Sequence, residues 1–69
     1  MLAVCAIMIA VGSKDLPFLV KADVEGKILK ESSENYLMDF SVDIKKRSSI
    51  ENPEDWKKIL VKKSDCVKE

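Results

Sequence analysis

Val20-Lys21-Ala22-Asp23-Val24-Glu25-Gly26-Lys27-Ile28 alternates without a break. Val20, Ala22, Val24, Gly26 and Ile28 fall on one face, and Lys21, Asp23, Glu25 and Lys27 fall on the other. That is the period of an antiparallel strand with one packed face and one face in water. Gly26 inside the run predicts a bend or bulge where the strand turns a corner. Downstream, Glu31-Ser32-Ser33-Glu34-Asn35 is polar and turn-forming, which predicts a hairpin. The returning strand is predicted over 36–44. There Tyr36, Met38, Phe40, Val42 and Ile44 share the apolar face, while Asp39, Ser41 and Asp43 oppose them. Leu37 is the apolar exception on that second face.

Residues 45–55 are polar and contain Asn52-Pro53, a loop signal. In 56–61, Ile59 and Val61 fall together with Leu60 opposite. Ser64-Asp65-Cys66 reads as a tight turn, and Val67 as the last β contact. Residues 53–58 also carry helix-start chemistry. Asn52 is a good N-cap, Pro53 suits the first helical position, and Glu54 and Asp55 precede Lys57 and Lys58 as a helix dipole prefers. A short helical turn near 53–58 is therefore an alternative to an all-β body.

Val24-Glu25-Gly26-Lys27-Ile28-Leu29, the polar hairpin and Tyr36-Leu37-Met38-Asp39-Phe40 together resemble the central hairpin of SH3-like small barrels. The stretch Ile59-Leu60-Val61-Lys62-Lys63-Ser64-Asp65-Cys66-Val67 is similar to their last strand, 3₁₀ turn and closing strand. The resemblance covers about 15–67 and is structural. It implies a mainly β fold, a small SH3-like antiparallel barrel of about five strands, and it carries over no catalytic residue. Small exported proteins of bacteria and their phages often look like this.

Ahead of this body, residues 1–12 hold no charged side chain, while 13–69 hold all 12 basic and all 12 acidic residues. Leu2-Ala3-Val4-Cys5-Ala6-Ile7-Met8-Ile9-Ala10-Val11 is an unbroken apolar run. As a helix it would reach roughly 15 Å, about half of a hydrocarbon core. A secretory signal fits that length, and Ala10, Gly12 and Ser13 would flank its cleavage point. Only Met1 precedes the run, without the Lys or Arg such signals carry. Leu2-Ala3-Val4-Cys5 also resembles a bacterial lipobox, and the alternative to a leader is a buried strand or short helix of the body. The expected organisation is a leader or anchor over 1–12 and a small β domain over 13–69, with membrane contact confined to 1–12.

The 69 residues suit one domain. Without 1–12 it would be small enough for marginal stability. Formal net charge is zero, which speaks against a nucleic-acid partner, since phosphate binding calls for a basic excess. There is no histidine, so the commonest general base and zinc ligand are missing. Cys5 and Cys66 match no metal spacing; a bond between them would join the two ends, whereas cleavage after Gly12 would leave Cys66 unpaired. With two glycines, a phosphate cradle has nothing to be built from. No catalytic constellation, cofactor site or metal site is expected.

Asp39 and Asp43, four apart on a strand, would lie about 13 Å from each other and read as solvated positions. Tyr36, Phe40 and Trp56 could form a peptide-docking groove, but Tyr36 and Phe40 share the core face. Trp56 borders a polar loop and is the foremost candidate contact. Lys45, Lys46 and Arg47, with Lys57 near Trp56, complete the candidate partner-binding set. The expected function is an exported, non-enzymatic module that binds an unidentified protein in the cell envelope or outside the cell. The alternative is a cytoplasmic structural or accessory subunit, for example of a phage assembly, with the apolar run buried in the core or in a partner.

Overall fold

The computed structural model describes residues Met1–Glu69 as a mainly β molecule. β1 (Leu2–Gly12) and β2 (Pro17–Glu31) form a long hairpin, and β3 (Asn35–Asp39) returns along the far end of β2. Then come α1 (Ser41–Arg47), a 3₁₀ turn (Pro53–Trp56), β4 (Ile59–Lys62), a second 3₁₀ turn (Lys63–Asp65) and β5 (Cys66–Lys68). The strands make one antiparallel sheet in the order β4-β3-β2-β1-β5. The two outer strands are not paired with each other. Lys63–Asp65 alone connects them, so the sheet must curl until its edges approach.

The apolar run is the strand on which this arrangement turns. β1 pairs with β2 from Leu2 opposite Lys27 to Gly12 opposite Pro17, and with β5 from Ala3 opposite Lys68 to Cys5 opposite Cys66. Ala3, Cys5 and Ile9 are buried, joining Val24, Tyr36, Met38, Phe40 and Ile44 in the core. Residues 1–12, expected as a leader set apart from a 13–69 domain, are thus an inner strand of that domain. Their alternation is masked in the sequence because the opposite face of β1 is also apolar, with Leu2 and Met8 about half exposed. Gly12 turns the chain at a φ of 98°, where an added Cβ would lie 2.8 Å from the Leu16 carbonyl oxygen.

Cys5 and Cys66 are joined in a disulfide. The Leu2 carbonyl accepts from the Glu69 N–H, so even-numbered β1 residues face β5 with their hydrogen-bonding groups. Cys5 is therefore in a non-hydrogen-bonded pair with Cys66, where cross-strand side chains come closest.

The predicted strand over 36–44 ends early. Asp39 Oδ1 accepts the Ser41 N–H at 2.9 Å and the Ser41 hydroxyl at 2.6 Å, which turns the chain out of β3. The Ile44 N–H then bonds the Phe40 carbonyl at 3.0 Å, and the Ser48 N–H bonds the Ile44 carbonyl at 3.0 Å. Phe40, Ile44 and Ser48 are all buried, whereas Val42 is 71% exposed. The spacing Phe40–Ile44 satisfies a strand period and a helix period alike, and the local side-chain bonds of Asp39 favour the helix.

Gly26 has a different role from the bulge its sequence position predicts. An added Cβ there would lie 2.6 Å from a Phe40 ring carbon, so the ring packs directly on the glycine. The register shift falls later, between Ile28 and Lys30, opposite Met38 and Leu37. The turn after Glu31 and the shared inner face of Ile59 and Val61, with Leu60 exposed opposite, follow the sequence expectation. So does the helical turn near 53–58: it is 3₁₀ over Pro53–Trp56, with Asn52 Oδ1 accepting the Glu54 N–H at 3.2 Å.

Two substitutions test this packing. Gly26→Ala is expected to lower unfolding stability in urea by about 1–3 kcal/mol, since neither the Phe40 ring nor the Asp39 backbone leaves room for a methyl. An unchanged midpoint would mean that Phe40 does not rest on Gly26. The disulfide spans a sequence separation of 61. Its removal by Cys66→Ala is expected to cost about 4 kcal/mol, and a variant as stable as the parent would contradict the bond.

Candidate functional site

Three surface features follow from this fold. The first is a groove of about 690 Å³ beside α1, where β3 has ended and the helix takes its place along β2. Asp43 Oδ2 accepts the Glu25 N–H at 2.8 Å, supplying the acceptor that a neighbouring strand would have supplied. Arg47 Nε lies 3.0 Å from the other oxygen of Asp43. Asp39 also lines this groove, brought near Asp43 by the helix rather than spread along a strand. The Ser41 hydroxyl and N–H hold the Asp39 carboxyl below the usual carboxylate range, with smaller help from Lys57 and Lys27. Both carboxylates thus have structural partners.

The second feature is a clamp at the curled end of the sheet. Lys63 Nζ stands 2.6 Å and Lys68 Nζ 3.4 Å from the Glu31 carboxylate. The same two ammonium groups lie 5.3 and 5.7 Å from the centre of the Tyr36 ring. The Lys63 hydrogen bond is the main reason that Glu31 is held below its usual range. Both cations are attracted by the ring quadrupole while Glu31 offsets their mutual repulsion. This clamp draws β2, β5 and the Lys63–Asp65 turn together.

The third feature is an arm. β5 covers β1 only at Ala3–Cys5 and β3 covers β2 only from Lys27, so the rest of the β1–β2 hairpin runs on as two strands. The molecule measures 40 × 19 × 17 Å as a result. A two-stranded ribbon is marginal by itself, and this one is tethered once. Ala10 donates its N–H to Glu51 Oε2 at 3.0 Å, and its carbonyl accepts the Ser48 hydroxyl at 2.6 Å. Towards the tip, Leu16 is 78%, Phe18 58%, Leu19 66% and Met8 51% exposed.

The residues singled out from the sequence are distributed unevenly over these features. Lys46 and Arg47 line the groove; Lys45 is exposed in the last turn of α1. Lys57 pairs with Glu54 at 3.2 Å. Trp56 is half-buried, edge-on to Phe40 with ring centres 6.4 Å apart and planes at 74°, and its carbonyl accepts the Phe40 N–H at 2.9 Å. It lies as a lid on the core, apart from the groove. With Tyr36 and Phe40 buried, the three rings form no open aromatic groove. Ala10 is tethered inside β1, and Gly12 and Ser13 form the arm's corner. The arm itself is invisible to a reading that separates 1–12 from the body. The signal that points to it is Leu16-Pro17-Phe18-Leu19, apolar residues placed just before the alternating run.

Comparison with protein-family models, with curated proteins and with solved structures matches none of them.

The link from Asp39 to Ser41 has a pH signature. A carboxyl with a lowered folded-state pKa contributes stability that is complete above its ordinary pKa and is lost as pH falls through the folded value. Asp39→Ala is expected to cost about 1 kcal/mol at neutral pH, the net worth of a side-chain hydrogen bond to the backbone. It should also flatten the fall in stability below about pH 4. Parallel acid limbs for parent and variant in thermal melts would contradict this.

Proposed function

We propose that this chain is a small exported, non-enzymatic binding module on an SH3-like barrel, and that its contact surface is the β1–β2 arm. The strand order β4-β3-β2-β1-β5, with a 3₁₀ turn between β4 and β5, supports the barrel reading. The observation that carries the binding reading is the arm's apolar end. Leu16, Phe18 and Leu19 are each more than half exposed, which a solitary soluble chain gains nothing from.

Export is supported by the Cys5–Cys66 bond, because disulfides persist in oxidising compartments and are rare in the cytosol. In this reading β1 is kept. A cut after Gly12 would remove three core residues and one half of the disulfide. The second reading, a cytoplasmic accessory subunit with 2–11 inside the core, is favoured by the place of β1 in the sheet. The redox state of Cys5 and Cys66 separates the two.

Fractionation of the native host, followed by intact-mass analysis of the chain without reductant, tests the proposal. The expected result is a chain outside the cytoplasm that retains 2–12 and is lighter than the reduced form by two hydrogens. A chain found only in the cytoplasm with free thiols would overturn export and leave the accessory-subunit reading.

A further inference from the structure

The open flank of β2 has a definite hydrogen-bonding pattern. The Glu25 N–H points away from β1, since Asp43 takes it from that side. Backbone groups alternate in direction along a strand, so the N–H and C=O groups of Leu19, Lys21 and Asp23 point the same way. No strand covers them, because β3 begins its pairing only at Lys27. This is an unpaired edge, ready to accept another strand.

We propose that the arm's partner is a second copy of this chain, docked antiparallel on this edge about a twofold axis at Ala22. The inference rests on reading the arm as the contact surface and names what it contacts. Charge selects the register. An axis at Ala22 sets Lys21 opposite the partner's Asp23, and Asp23 opposite the partner's Lys21, two opposite-charge pairs at hydrogen-bonded positions. An axis at Lys21 would set that lysine against the partner's Lys21. An axis at Val20 would bring Pro17, which has no N–H, opposite the partner's Asp23. Only the small Ala22 side chain meets its own copy on the axis.

The same register places the exposed apolar groups. Leu19 comes opposite the partner's Glu25, whose N–H is already taken by Asp43, so strand pairing stops there. Leu19, on the same outer face as Asp23 and Glu25, is the apolar arm residue brought to the end of the partner's groove, whose wall includes half-exposed Leu2 and exposed Val42. The contact is self-complementary and closes at two copies.

Sedimentation velocity of the purified, disulfide-bonded protein over a concentration series tests the proposal. The parent is expected to form a dimer. Lys21→Asp and Asp23→Lys should each weaken it, on the order of tenfold or more in Kd, by creating like-charge pairs. The double exchange K21D/D23K should restore it. In a variant-free measurement, amide exchange of Lys21 and Asp23 in the parent should slow as concentration rises. A parent that stays monomeric, or a dimer indifferent to both single exchanges, would overturn the inference. Neither result would bear on where the chain is located, so failure here is distinct from failure of the export reading.

Discussion

The pairing of β1 with β2 along all 11 residues of β1 is the constraint on which the rest of the molecule depends. It gives the sheet its axis: β5 adds to one side and β3 to the other, each over a short stretch. Three of the eight buried apolar residues come from β1, as does one half of the disulfide. A chain of this length buries only about 60% of its unfolded surface. Losing one inner strand would leave β2 without its longest partner and β5 without any. The cross-link between Cys5 and Cys66 acts on the same element, binding the last strand to the first.

A long hairpin with short neighbours leaves much backbone unpaired, and side chains from the 39–51 segment satisfy part of it. Asp43 covers the open flank of β2 at Glu25, and Ser48 and Glu51 cover the open flank of β1 at Ala10. Within the same segment Ile44 enters the core and Phe40 lies on Gly26. One segment therefore completes the core and closes backbone on both sides of the hairpin. What it leaves open is Leu19 to Asp23 on β2, next to the apolar tip. Structure and candidate function meet at that point, because the same shortness of β3 that forms the groove also exposes the edge.

Much of this was legible in the sequence, for reasons that can be located. The alternation from Val20 to Ile28 marks β2 because one of its faces is charged. Asn52-Pro53 marks the 3₁₀ turn through local capping chemistry. β1 resisted the same reading because both of its faces are apolar, so no period survives, and apolar runs of that length are shared by leaders and inner strands. The switch at Asp39 was hidden because Phe40 and Ile44 suit either period, and the decision rests on the bonds of one carboxylate to Ser41. Trp56 and the lysine run stand out by residue type, whereas the arm arises only from where β3 and β5 stop. The Glu31–Lys63–Lys68–Tyr36 clamp joins residues from β2, β3, the second 3₁₀ turn and β5, a proximity that only the curled sheet creates.

The central claim is that Leu2–Gly12 is an inner strand of the folded protein. Native-state amide hydrogen exchange of the full chain measures it most directly. Cys5, Ile7 and Ile9 direct their N–H groups into the β1–β2 ladder, opposite Val24, Ala22 and Val20. Their amides should be among the slowest to exchange, matching those of Val24 and Met38 in the core. Exchange at Cys5, Ile7 and Ile9 as fast as at the exposed corner residues Ser13 to Leu16 would contradict the claim and return 1–12 to the status of a separate leader.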